Sequence, residues 1–319
     1  MTPVPEPIGP VDATKVPRFA GPSTFARLPS IDAVHDFDVA VLGAPFDGGT
    51  SYRPGARFGP LAVRTASRHL RTAYHPELDV TPFQRVQVVD AGDVPVNPFV
   101  IEDAISQIEA HAGDLVRDSS RLVTVGGDHT VALPLLRAAR RVHGPVALVH
   151  FDAHLDTWDT YFGASLTHGT VFRRAHEEGL LVADHSMHIG IRGPLYDRSD
   201  LIDDARFGFE VLRASDLDRL GSEEVSARIR ARVGDCPVYL SVDIDVLDPA
   251  FAPGTGTPEM GGFTSRELLG LLRRLGGLPI VGSDVVEVSP SYDTSEITAL
   301  AAATVVYDVI SLMARELGT

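Results

Sequence analysis

Cysteine is nearly missing from this chain: Cys236 is the only one in 319 residues. No intrachain disulfide framework exists, and nothing in the cysteine usage supports an oxidising compartment. Placed beside Pro237 ahead of an apolar run, Cys236 reads as a small buried side chain. Basic residues are also scarce, 28 Lys plus Arg against 43 Asp plus Glu, for a formal net charge of −15. No basic stripe is left for phosphates, which argues against a nucleic-acid partner. No G-x-G-x-x-G or P-loop pattern opens a helix, so nucleotide binding lacks support. The first residues, MTPVPEP, hold neither the basic nor the apolar region of a secretory signal. The longest weakly polar run, Ile297 to Val306, is too short to cross a bilayer and is expected to be a core helix. A soluble cytoplasmic protein with no membrane partner is the expectation.

What is present is regular alternation. Residues 1–36 are Pro-rich and aperiodic, an expected arm or cap; residues 37–319 read as one domain. Eight apolar runs have strand character: 38–45, 85–92, 121–128, 146–153, 187–193, 209–215, 238–245 and 280–288. Helical patterns lie near 60–71, 101–117, 131–142, 170–178, 222–233 and 265–275, with a last helix from about 296 to 316. Strand and helix in turn predict an α/β fold, a single, mainly parallel eight-stranded sheet covered by helices on both faces.

In such sheets the site lies beyond the carboxyl ends of the strands, and there the polar groups gather. VALVHFDAHLD (146–156) runs from an apolar strand into Asp152, His154 and Asp156. Residues two apart share a side of an extended chain, so three ligand-type groups leave together. Buried without partners they would cost several kcal/mol, and a cation is the simplest way to satisfy them. The run 121–128 leads into Asp128 and His129, 238–245 ends in Asp243 and Asp245, and 280–288 carries Asp284 and Glu287. His129, Asp152, His154, Asp156, Asp243 and Asp245 make two imidazoles and four carboxylates, enough to balance two divalent ions. A mixed N/O set without cysteine suits Mn²⁺, with Zn²⁺, Co²⁺ or Ni²⁺ as competitors. The reaction class implied is metal-assisted hydrolysis.

GGDHT (126–130), FDAHLD (151–156) and SVDIDVLDPAFAPGTG (241–256) resemble the three metal-ligand signatures of the ureohydrolases, the arginase–agmatinase family. TSYRPGARFGP (50–60) and DVVEVSPSYDTSEITALAAAT (284–304) resemble the agmatinase branch. Thr130 and Ser289 depart from the arginase pattern, at positions that are not ligand side chains. The resemblance implies a three-layer α/β/α fold and two Mn²⁺ per chain. One ion would be held by His129 and Asp156, the other by His154 and Asp245, with Asp152 and Asp243 bridging. It implies Asp156, His168 and Glu287 as catalytic residues: Asp156 relays a proton, His168 exchanges protons with solvent, and Glu287 holds a guanidinium. Products would be urea and an amine, and a trimer or hexamer of the chain is expected.

For the substrate tail, Trp158, Tyr161 and Phe162 are candidates to pack methylenes. Asp159 is a candidate anchor for an ammonium, Arg53 a candidate for a carboxylate. Agmatine is the first expected substrate and 4-guanidinobutyrate the second. Arginine is disfavoured because the loop lacks the Asn and Ser that arginases carry there. Asp128 is a candidate to orient His129 or a neighbouring stretch of backbone, and Asp284 is a candidate for a similar supporting role. A single-zinc deacetylase would not need His129, Asp156 and Asp245, and an inactive polyamine-binding protein would be expected to lack a ligand.

Overall fold

All eight apolar runs become strands. In the computed structural model, which describes residues 6–34 and 36–317, they are β1 (Val39–Ala44), β2 (Val88–Asp93), β3 (Arg121–Gly126), β4 (Ala147–Phe151), β5 (Met187–Ile191), β6 (Glu210–Arg213), β7 (Val238–Asp243) and β8 (Ile280–Val286). They form one sheet in the order β2-β1-β3-β8-β7-β4-β5-β6, every pairing parallel. Five of them, β1, β4, β5, β7 and β8, are buried along their whole length. Burial on both faces explains why these runs show no polar alternation.

The helices are α1 (Gly59–Ser67), α2 (Pro82–Arg85), α3 (Ile101–Leu115), α4 (Ala132–His143), α5 (Val171–Glu177), α6 (Ser199–Phe207), α7 (Ala214–Val233), α8 (Ser265–Arg273) and α9 (Ile297–Leu317). Helices α1, α7, α8 and α9 share one core with Val39 and Val41 of β1. Helices α3, α4 and α5 share a second with Ala40 and Leu42, the residues that face the other way. The result is the expected three-layer α/β/α fold. Two short helices were not among those expected from the sequence: α2, a single turn of four residues, and α6, whose one fully buried side chain is the polar Asp204. Helix α7 starts before the expected 222 because a further helical segment joins it across a kink at Gly221, whose φ is 77°.

Helix α9 is longer than the apolar run that announced it. Its most apolar 18-residue stretch has a mean hydropathy of 1.8, but 78% of that stretch is buried inside the protein. Asp308, fully buried within it, receives Arg273 Nε at 2.7 Å and lies 2.9 Å from His75 Nε2. The N-terminal segment packs on its own chain. Phe25 and Leu28 are fully buried, and the Arg27 guanidinium donates to the carbonyls of Val11, Val16, Pro17 and Ala20. Residues 1–5 of the expected arm lie outside the described residues. Cys236, expected to be buried, is half-buried against the core.

The topology places the site. Strands β3, β8, β7 and β4 are neighbours at the centre of the sheet. Their carboxyl ends carry His129, Glu287, the Asp243/Asp245 pair and the Asp152/His154/Asp156 set. Four strands scattered between residues 121 and 286 thus converge on one rim.

Candidate metal centre and cleft

His129 opens the turn after β3. It is fully buried, and its Nδ1 lies 2.9 Å from Asp156 Oδ2, 3.2 Å from Asp152 Oδ2 and 3.4 Å from Asp243 Oδ2. Despite these distances, Nδ1 makes no aligned hydrogen bond with any of them. Nε2, on the other side of the ring, contacts Ser241 Oγ at 2.8 Å, and that hydroxyl donates to Asp284 Oδ1 at 2.6 Å. With Nε2–H committed to Ser241, Nδ1 presents a lone pair among three carboxylate oxygens, the arrangement of a ligand shell.

The second cluster shares Asp152. His154 Nδ1 lies 3.3 Å from Asp152 Oδ1 and 3.2 Å from Asp245 Oδ2. Asp152 therefore faces His129 with one oxygen and His154 with the other, as a bridging carboxylate does. The structure places Asp243 on the His129 side; its Oδ1 accepts the Asp245 backbone N–H at 2.8 Å.

The electrostatics state the same demand. Burial, then the charges of Asp245 and Asp152, push the Asp243 carboxyl well above the usual carboxylate range. Burial would lower the His129 and His154 imidazoles, but the carboxylates around them hold both well above the ordinary histidine value. The cluster carries more negative charge than its imidazoles offset, and divalent cations are the groups that meet such a demand. Asp156 keeps a left-handed backbone, φ 55°, and Glu287 does so at φ 64°. For non-glycine residues this costs on the order of 1–3 kcal/mol each and clusters at functional sites.

Asp284 does not reach the clustered imidazoles and carboxylates directly. Parallel register sets Ser241 beside it, and Tyr239 Oη donates to its Oδ2 at 2.7 Å. Tyr239, Ser241 and Asp243 occupy alternate positions of β7 and so share one face. That spacing was the available signal for Tyr239 and Ser241, which the sequence reading missed. Of the two roles expected for Asp128, it takes the second and holds neighbouring backbone: it accepts from Thr130 N at 3.0 Å and Gly49 N at 2.7 Å. Burial and the nearby Glu287 charge raise its carboxyl to about 6.

His168 and Glu287 meet. His168 Nδ1 lies 2.9 Å from Glu287 Oε1, which also accepts the His129 backbone N–H at 3.0 Å. Glu287 Oε2 is buried and has no hydrogen-bond partner among the described residues. His168 Nε2 lies 2.7 Å from Ser51 Oγ, a contact the sequence reading did not anticipate. Burial alone would lower His168, but Glu287 outweighs it and raises the imidazole to about 9.

A cavity of about 590 Å³ opens onto Ser51 and His168, with Glu287 buried behind His168. Ser51, Arg53, His154, Asp156, Trp158, Tyr161, His168, Arg192, Asp243 and Glu259 are among its lining residues. Trp158 and Tyr161 stack with ring centroids 5.8 Å apart. A Cβ on Gly169 would lie 2.7 Å from Trp158 Cε3, so glycine is what lets the indole lie there. Two candidates from the sequence fall away from this wall. Asp159 is paired with Arg174 at 2.8 Å, with Arg173 at 3.9 Å, and its side chain is 65% exposed. Phe162 is 93% exposed and only leans its edge on Tyr161. Both belong to a loop whose side chains diverge at the tip. Arg53 does line the cavity, with its guanidinium over the rings of Tyr52 and Tyr292 and no ion-pair partner among the described residues.

Comparison with known proteins gives a consistent picture. A sequence profile described as the arginase family matches residues 37–311. The chain is 46% identical to a guanidinopropionase of Pseudomonas aeruginosa, covering 96% of this chain and 96% of that one. It is 44% identical to an agmatinase of Salmonella paratyphi B, covering 92% and 94%. Among solved structures, the proclavaminate amidino hydrolase of Streptomyces clavuligerus superposes with a TM-score of 0.89 at 44% identity, covering 94% and 99%.

Proposed function

The chain belongs to the arginase family and is an amidinohydrolase of its agmatinase branch, and from that premise we propose that it cleaves an ω-guanidino acid such as 4-guanidinobutyrate to urea and the amino acid. The observation that carries the choice of tail is Arg53, a cation on the cavity wall with no carboxylate of its own.

The ions we propose are two Mn²⁺, which the all-N/O donor set suits. His129, Asp152, Asp156 and Asp243 would hold one, and Asp152, His154 and Asp245 the other. Bound there, such ions lower the pKa of water toward about 7 and stabilise developing negative charge. The protein's own groups do the rest. Glu287 Oε2, buried and free, receives N–H groups of the planar guanidinium in a charge-assisted contact. As water adds to the guanidinium carbon, Asp156 takes its proton and returns it to the departing nitrogen, and the C–N bond to the amine breaks. His168 exchanges protons with the cavity through Ser51 Oγ.

The tail argument is a charge count. Four ligand carboxylates balance two divalent ions, and Glu287 balances the guanidinium. The remaining charges among the cavity residues are Arg53, Arg192 and the raised His168 imidazole against Glu259, a net positive wall that favours an anionic tail. Arg192 has little left to offer: its donors reach the carbonyls of Gly190, Asp245, Val246, Leu247 and Glu259. Arg53 retains its donors. The preference for agmatine leaned on Asp159, which is engaged elsewhere. Agmatine stays as the second reading because Glu259 also lines the cavity with no ion-pair partner among the described residues.

Urea release from a panel of guanidino compounds decides between them. 4-Guanidinobutyrate is expected to show the higher kcat/KM. Arg53→Gln should lower it about 10- to 100-fold, mainly through KM, as befits one hydrogen bond to a charged group, while agmatine changes little. If agmatine is preferred and Glu259→Gln abolishes that preference, the tail is an ammonium and the Arg53 assignment is wrong.

A further inference from the structure

Two buried histidines take no part in the chemistry above. His150 on β4 and His188 on β5 sit side by side in the sheet register, and neither is exposed at all. His150 Nε2 lies 2.8 Å from Asp152 Oδ2, and its Nδ1 lies 2.7 Å from His188 Nδ1. The rings are packed against Phe172 and Phe209, with centroids 4.4 Å and 4.8 Å away. We propose that the His150–His188 pair is a positioning element: it locks the Asp152 oxygen that faces His129 and so sets how tightly the His129 side holds its ion. The inference rests on the metal reading of the preceding section.

Hydrogen-bond accounting assigns the roles. An ionised Asp152 can only accept, so His150 Nε2 carries the hydrogen. A neutral His150 then has its lone pair on Nδ1 and must accept from His188 Nδ1–H. That leaves a lone pair on His188 Nε2, which has no hydrogen-bond partner among the described residues. The neighbouring Asp204 Oδ2, 3.8 Å away, has none either. Burial keeps His188 well below the ordinary histidine range, consistent with a neutral ring.

The alternative is that His150 is itself a ligand, because its ring nitrogen falls within the same 4.8 Å cluster as His129, Asp152 and Asp156. The geometry disfavours this, since both its nitrogens are already engaged. The pair acts on one oxygen only. Asp152 Oδ2 faces His129, whereas Oδ1 faces His154 and accepts the His154 backbone N–H at 2.5 Å. A defect in the pair should therefore be felt at one ion and not the other. Nothing in the sequence motif D-x-H-x-D announces His150, although it stands two residues before Asp152 on the same face of β4.

The test is Mn²⁺ binding by the full-length chain, read by titration calorimetry and elemental analysis rather than by turnover. His150→Phe keeps an aromatic ring beside Phe172 but loses the donor. His150→Gln places an amide N–H near the original Nε2. His150→Phe is expected to weaken one of two ions about 10- to 100-fold, the usual cost of losing such a supporting contact. His150→Gln should recover most of that loss, and the double variant with His129→Ala should lose no second ion. Wild-type affinity for both ions in His150→Phe overturns the proposal. So does a His150→Gln variant as defective as His150→Phe, which would make the imidazole a ligand. If His150→Phe does not fold, His188→Phe and His188→Asn read the same chain one step further out. There a several-fold loss in the first, recovered in the second, is expected, and no loss overturns the idea. A wild-type chain that binds no Mn²⁺ at all would instead remove the metal reading itself.

Discussion

Asp152→Asn is expected to cost the protein both ions and to lower urea release by about 10⁴-fold or more, because without them nothing lowers the pKa of the attacking water toward neutrality. The two oxygens of Asp152 face different imidazoles, 3.2 Å from His129 Nδ1 and 3.3 Å from His154 Nδ1. An amide presents one weak acceptor and one donor in place of two anionic oxygens, so one of the two clusters must face an N–H. Asp243→Asn should do its first damage on the His129 side, where its Oδ2 is placed. Elemental analysis beside steady-state kinetics checks both. Two tightly held ions in Asp152→Asn would remove the bridging role.

His168→Ala is expected to keep both ions and the fold while losing about 10²- to 10⁴-fold in kcat, the range for a proton-transfer group. The ring touches Glu287 and Ser51 and none of the six ligand side chains at hydrogen-bond distance. Its companion variant has a sign as well as a size. Glu287 favours the imidazolium and raises His168 to about 9. Glu287→Gln removes that stabilisation, so His168 gives up its proton at lower pH. The limb of the pH–rate profile governed by His168 should shift to lower pH, together with a rise in KM from the lost guanidinium contact. An unmoved limb would mean that His168 does not titrate in the rate-limiting step. Metal loss in either variant would place that residue among the ligands.

The His/Asp cluster was legible in the sequence because its information is local. Asp152, His154 and Asp156 follow one strand at spacings of two, and Asp243 and Asp245 repeat the device. A parallel sheet delivers strand ends to one rim whatever the loops do. The same period-two rule held for Tyr239 and Ser241, yet a tyrosine or serine on a strand face carries no metal signature by itself. Their meaning came from the neighbour in register, Asp284.

The composition and periodicity of this chain thus determined eight strands, a parallel sheet and the ligand types gathered at its edge, since each depends on residues close in sequence. The tertiary structure decided what surrounds them. Asp159 sits three residues from Asp156 and turns outward to Arg174, whereas Arg53 and Glu259, more than 200 residues apart in the chain, both line the cavity. Ser51 reaches His168 from the loop after β1, and His150 finds His188 only because β4 pairs with β5. Strand periodicity fixes which side of the backbone a residue leaves from. Where a loop side chain ends up depends on the ion pairs and packing partners that the whole fold brings to it, and these are not encoded in local spacing.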